Sequence, residues 1–298
     1  KLIKLINYIK PDIIQFWMYD SIFISILLKF FLIKKTIIWN LRQSNLNFFK
    51  SKKKTLLIKF ILIPFSYLIP NKIICCSRKV FSHHAEFFFC KTKLLEIPNG
   101  IELEKYFYNK KYDSKLSKKL NLNKNVKVIG FINRYDNQKN FKLFLEFINL
   151  LIYQNKNFNI RVLMFGENVD MKNSKLLSEI SKYNLNKFIR VLGARKNIHY
   201  YYSILDYSVS TSSYGEGFSN TLIETMASNT IPLYSNQGDN KYVLKNIIDV
   251  ISKQKPEEYV NLFNRINNLD KQKINKILKL LKVKSYQYSV NIMRNKYL

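Results

Sequence analysis

Short runs of apolar, often β-branched residues alternate along this chain with longer amphipathic stretches. The runs at residues 12–16, 36–39, 72–76 and 94–97 read as buried strands, as do 126–132, 160–165, 189–192, 207–211 and 231–234. A continuous apolar run of that kind, closed by Gly, Pro or Asn, suits a strand covered on both faces. Residues 21–33, 55–69, 141–153, 174–183, 198–205, 219–228 and 257–266 carry helical spacing instead. Ser77 is placed to cap a helix running to about Cys90, and residues 274–297 read as one long closing helix. The alternation predicts an α/β chain of two Rossmann-like, doubly wound parallel sheets. The polar, Lys- and Asn-rich stretch 106–125 is the expected linker, giving one domain at 1–110 and another at 120–283. The opening KLIKLINYIK has no Met and starts in mid-pattern, so a first domain lacking its initial segments is expected.

Composition supports a folded chain: 47% of the 298 residues are hydrophobic and 15% aromatic. The net charge of +30 favours polyanions, whether nucleic acid, an anionic membrane or phosphorylated ligands. Lys, Asn, Ile, Phe and Tyr are inflated together while Gly is scarce, which is also the mark of AT-rich coding. Cys75, Cys76 and Cys90 are odd in number and lack a C-x-x-C spacing, so buried thiols are expected rather than a disulfide frame or a zinc site. No signal peptide is visible. The longest apolar runs, 21–33 and 55–69, are interrupted by Lys29, Lys59 and Pro64 and fall short of the roughly 20 residues a bilayer requires.

The candidate chemistry centres on TSSYGEGFSNTLIETMASNTIPLY, residues 211–234. A strand, a turn with Gly215, Glu216 and Gly217, and a helix start follow one another there. Free N–H groups and the positive end of the helix dipole make such a junction an anion site. Glu216 and Glu224 flank it, which suits a ligand carrying both phosphate and hydroxyl groups. The competing structural reading is a capping box, since Thr221 and Glu224 have the Thr-x-x-Glu spacing. Arg134 and Lys139, in NRYDNQKN after the strand 126–132, are spaced to hold one diphosphate, Arg as a planar fork and Lys as a point charge.

In order, PNGIE (98–102), R-x4-K (134–139), Gly193 before a short helix, E-x7-E (216–224) and GDN (238–240) together resemble the retaining GT-B glycosyltransferases, in particular family 4. The likeness is strongest between Ile97 and Asn240, and FWMYDS (16–21) and IIWNLRQSN (37–45) look like the acceptor side of polysaccharide and O-antigen members. The resemblance implies a GT-B fold, two Rossmann-like domains facing a cleft, with segment 284–298 returning to the first. It implies that Arg134 and Lys139 hold the donor diphosphate, that Glu224 accepts from the ribose hydroxyls and that Glu216 binds the transferred sugar. The backbone of Gly217, Phe218 and Ser219 would approach sugar and phosphates, and Asn99 and Gly100 would line the cleft. Glu216, Arg134 and Lys139 are thus the expected catalytic groups. No metal and no cofactor beyond the UDP-sugar donor is implied; a donor phosphate oxygen takes the acceptor proton on the same face. The implied acceptor is lipid-linked or a polysaccharide, and the implied location is cytoplasmic and peripheral to the plasma membrane.

The chain departs from that pattern in three places. It has no glycine-rich turn after a first strand, Gln15 and Asp20 stand where many members carry a His, and ASNTIP lacks the usual Gly after Asn229. His83, His84 and His199 and the clusters 87–89 and 200–202 read as packing residues. Lys50, Lys52, Lys53 and Lys54 beside the apolar run 55–69 form a candidate edge for an anionic membrane. Two alternatives stay open at this level: a catalytically incomplete nucleotide-sugar-binding fragment, and a basic nucleic-acid-binding protein, for which no nucleic-acid motif is present. A phosphorylase of the same architecture would need a pyridoxal-binding lysine motif, and none is present.

Overall fold

The computed structural model describes residues 1–32, 34–44, 53–123, 125–155 and 159–297. Lys50 and Lys52 of the expected basic edge lie outside them. The chain divides into two compact units, one of Lys1–Asn99 with Tyr214–Phe218 and Asn295–Leu298, the other of Gly100–Ser213 with Ser219–Arg294.

In the first unit β1 (Ile13–Trp17), β2 (Thr36–Leu41), β3 (Lys72–Cys75) and β4 (Leu94–Glu96) form a parallel sheet in that order. Ile14 pairs with Ile37, Trp39 with Ile73 and Ile74 with Leu95. Every crossover steps one strand in the same direction, so right-handed connections place the helices Met18–Leu28, Lys53–Leu68 and Arg78–Glu86 on one face. Ile22, Leu62, Val80 and Trp39 are fully buried, and the Trp39 indole donates to Ser25 Oγ at 3.0 Å. Ser77 caps its helix, accepting from Val80 N at 3.1 Å. That helix stops at Glu86, short of the expected Cys90, and Phe88 follows with a left-handed φ of 60°. The helix expected at 21–33 starts earlier, at Met18, and gives way to a 3-10 turn at Lys29–Phe31. Cys75, Cys76 and Cys90 are buried and free.

The second unit holds a five-stranded parallel sheet in the order β7-β6-β5-β8-β9. Its strands are β5 (Val126–Ile132), β6 (Asn159–Phe165), β7 (Ile189–Val191), β8 (Tyr207–Ser210) and β9 (Ile231–Tyr234). Period-two alternation sorts β5 between two cores: Ile129 and Phe131 face one, Val128 the other. The first core contains the helices Phe141–Gln154 and Pro256–Asn267, with Phe131 stacked on Phe144 at 3.9 Å. The second contains Leu163, Phe165, Tyr202 and Leu205.

Two expected elements differ. Residues 106–125 are not a plain linker: Lys110–Lys119 is a helix, capped by Asn109, which accepts from Lys111 N at 3.0 Å. Leu116 and Leu120, four apart, give it an apolar stripe packed on the second core. The closing helix is broken into Lys271–Ser285, a 3-10 turn Tyr286–Tyr288 and Val290–Tyr297. Ile101 N donates to Tyr288 O at 2.9 Å and Ile101 O accepts from Val290 N at 3.0 Å, and this long-range pairing competes with continued helix at Ser289. Among the described residues no helix is long and apolar enough to cross a membrane.

Candidate active site

Strand order in the second sheet reverses at β5, whose neighbours are β6 and β8, and a parallel sheet leaves a ligand crevice at the carboxyl end of such a switch point. Arg134 and Lys139 lie on the connection leaving β5, and Thr211, Ser212 and Ser213 on the one leaving β8. The two connections are stapled together. Thr211 Oγ1 donates to Lys139 O at 2.7 Å, and Ser213 N donates to Gln138 O at 2.8 Å. Asp136 stiffens the first, accepting from Gln138 N at 2.8 Å and standing 3.7 Å from Arg134 Nε. That ion pair is about half exposed, so it adds little stability and leaves the guanidinium accessible to an anion. Gly166, at the end of β6 with φ 145°, packs on the same loop: a Cβ there would overlap the Asn133 backbone and come within 2.9 Å of Arg134 N.

Glu224 sits on the helix Asn220–Ala227. Ser219 is the N-cap residue, but its Oγ pairs with Thr221 Oγ1 at 3.1 Å and makes no cap bond to the first turn. The capping-box reading of Thr221 and Glu224 is excluded, because the Glu224 carboxylate turns elsewhere. One oxygen accepts from Tyr106 Oη and the other from Tyr202 Oη, each at 2.9 Å. Burial pushes the Glu224 carboxyl up from its ordinary range, and the two phenol donors pull it back. Burial and the neighbouring carboxylate raise both phenols, so they stay protonated donors.

A cavity of about 620 Å³ opens beside this carboxylate, lined by Gly100, Lys105, Tyr106, Asn197, Tyr200 and Glu224, among others. Gly100 has no room for a side chain, since a Cβ would stand 2.6 Å from Val290 Cα. Gly100 and Glu224 thus share one cavity, while Arg134 and Lys139 share one loop and do not line that cavity. Asn99, Glu216, Gly217 and Phe218 belong to the first unit. There Arg42 Nη1 donates to Asn99 Oδ1, and Ser44 Oγ donates to the Glu216 carbonyl oxygen. Gly217 permits a close approach: a Cβ would overlap the Arg42 carbonyl and stand 2.9 Å from Cys76 Sγ. Phe218 is buried.

Three contributing residues carried no short-range signal. Tyr106 lies in the segment read as a linker, 118 positions from its partner, and Tyr202 in a cluster read as packing. Arg42 stood in the stretch IIWNLRQSN read as acceptor side, with no signal of its bond to Asn99.

Comparison with solved structures places this fold. The chain superposes on HepE from Anabaena, solved in complex with UDP and glucose, with a TM-score of 0.86 and 16% identity over 99% of this chain and 79% of that one. Sucrose-phosphate synthase from Thermosynechococcus elongatus gives 0.82 and 14%, over 99% and 74%. A glycosyltransferase from Rickettsia africae gives 0.79 and 18%, over 99% and 77%. The architecture is that of the GT-B glycosyltransferases. A sequence profile described as glycosyl transferases group 1 matches residues 113–278, more than half of the chain, and the chain belongs to that family of glycosyltransferases. Comparison with curated proteins gives no match.

Proposed function

We propose that this chain is a family 4 enzyme that moves a hexose or N-acetylhexosamine from a UDP-sugar, with retention, onto a lipid-linked or polysaccharide acceptor. The observation that carries the reading is the Glu224 carboxylate, held on both oxygens by tyrosines at the wall of a cavity. A carboxylate fixed in this way is an acceptor for a vicinal diol, and ribose supplies one. HepE, solved with UDP and glucose and also with UDP-glucose, supports a donor of that class.

In this reading Arg134 and Lys139 hold the diphosphate and Glu216 binds hydroxyls of the transferred sugar. Asn99, Gly100 and the backbone of Gly217, Phe218 and Ser219 complete the donor site. The acceptor oxygen bonds to the anomeric carbon on the face the diphosphate leaves. The bond from that carbon to UDP breaks, and the acceptor proton passes to a donor phosphate oxygen. Arg134 and Lys139 offset the charge that grows on the leaving group. No metal or other cofactor enters the scheme, and the enzyme works from the cytoplasmic face of the plasma membrane.

A thermal-shift screen of the protein against nucleotides and nucleotide-sugars tests this. A bound ligand raises the melting temperature by mass action. UDP and one UDP-sugar should raise it while ATP and GTP do not, and no response to any uridine nucleotide would overturn the proposal.

A further inference from the structure

Between Asp20 and Glu86 the sequence contains no carboxylate side chain. That stretch supplies two helix-to-strand connections of the first unit, at 29–32 with 34–35 before β2 and at 69–71 before β3; the third, 87–93 before β4, follows Glu86 and also holds no carboxylate. The strands are parallel, so all three connections emerge at the same edge of the sheet, the amino edge. Side chain to backbone bonds tie them into one rim. Lys29 Nζ donates to Leu68 O at 2.9 Å, Tyr67 Oη to Phe88 O at 3.1 Å, and Lys93 Nζ to Tyr67 O at 2.6 Å.

The rim exposes large apolar groups. Phe30 is 81% exposed and Phe88 76%, with Phe31, Tyr67 and Leu68 also exposed. Lys34, Lys72 and Lys91 stand exposed among them. Phe88 is the most informative, because it holds a left-handed φ of 60°. A non-glycine residue there is strained, and here the strained residue turns a bare aromatic ring to solvent. Folding alone gives no return for that arrangement.

We propose that this amino-edge rim docks on an anionic phospholipid surface, the aromatic rings entering the headgroup boundary while the lysines meet lipid phosphates. The inference deepens the membrane-peripheral part of the proposed function and names its surface. Aromatic rings interleaved with lysines, on a rim whose three connections carry no acid of their own, match an interface that is apolar below and negative above. A protein partner recognised through apolar contact alone would not call for lysines on the rim and no acid on any of the three connections.

Sedimentation with vesicles tests it. The full chain should partition about tenfold better onto phosphatidylcholine vesicles containing phosphatidylglycerol than onto phosphatidylcholine alone. The double variant Phe30→Ser, Phe88→Asn should lose about tenfold of that partition while keeping the wild-type response to UDP. Phe88→Asn alone should also raise the melting temperature, since Asn tolerates the left-handed region. Equal partition onto both vesicles, an unchanged double variant, or a lower melting temperature for Phe88→Asn would overturn the assignment. So would binding of poly-uridylate that is lost in the same double variant, which would give the rim to nucleic acid. The glycosyl-transfer reading fails separately, if UDP does not bind the wild type.

Discussion

Tyr202 and Glu224 meet at 2.9 Å, the phenol at the end of the helix Ile198–Tyr202 donating to a carboxylate in the middle of Asn220–Ala227. Tyr106 closes on the other oxygen at the same distance. The pair fixes the plane of the carboxylate and opposes the upward push of burial on its titration. It converts a residue that could have capped a helix into one presented to a cavity.

Removing either phenol therefore raises the Glu224 carboxyl further. Nucleotide hydroxyls bind the ionised form, so the acid limb of UDP binding should move to higher pH in Tyr106→Phe and Tyr202→Phe. Each lost hydrogen bond to a charged group is worth about 1.5–3 kcal/mol, so affinity near pH 6 should fall roughly tenfold or more. The deficit should shrink toward pH 8. Calorimetric UDP affinity measured across that range checks this, and a pH-independent deficit would mean that the tyrosines only pack.

Arg134 and Lys139 should act on the diphosphate. Arg134→Ala and Lys139→Ala should each lower kcat by about 10²–10³-fold, the range seen when one preorganised charge-stabilising donor is lost. Melting temperatures should stay close to wild type, since the Arg134 side chain is half exposed. A matching loss of stability would show the loop, not the charge, to be the cause.

The glycines give a ranked stability series. Gly166→Ala should be the most damaging, because φ 145° and the Asn133 backbone both oppose a Cβ. Gly217→Ala should cost about 1–3 kcal/mol through its overlap with the Arg42 carbonyl. Gly193→Ala should cost about 1–2 kcal/mol, since its φ of 74° is left-handed but the nearest atom is 3.5 Å away. Urea midpoints of the three variants check the order.

Acid should destabilise the first unit through its buried imidazoles. Burial, with the nearby Lys59 charge, lowers His83 to about 4, and burial lowers His84 to about 3. Both stay neutral when folded and take a proton near pH 6.5 when unfolded. Their contribution is whole above pH 6.5 and is lost as pH falls from there through the folded values. Burial also lowers Lys59, which hydrogen-bonds His83 at 2.7 Å, to about 8. Its contribution is whole above pH 10.5, declines down to about 8 and is flat below. Unfolding midpoints at pH 5 and pH 7 should thus differ, and His83→Gln should narrow the gap. An unchanged gap in that variant would place the acid sensitivity elsewhere.

The nine strands among the described residues were readable from apolar runs, because a buried parallel strand must be apolar on both faces and its ends are marked by polar or turn residues. The loop carrying Arg134 and Lys139 follows from the same alternation, whereas the strand order β7-β6-β5-β8-β9 came only with the structure. What the pattern concealed was long-range. The helix Lys110–Lys119 is rich in Lys and depends on Leu116 and Leu120 meeting a core that local composition does not announce. The break at Ser289 comes from backbone pairing with Ile101, nearly two hundred positions earlier. Glu224 was visible as a carboxylate in the second turn of a helix. Its two tyrosine donors were not, because spacing along a chain carries no information about partners on other elements.

The central claim is that Glu224 and Lys139 serve one nucleotide-sugar. Isothermal titration of UDP into the wild type and into Glu224→Ala and Lys139→Ala measures it directly. Each variant should bind at least about tenfold more weakly, matching the loss of one hydrogen-bonded charged contact. Wild-type affinity in both variants would contradict the account.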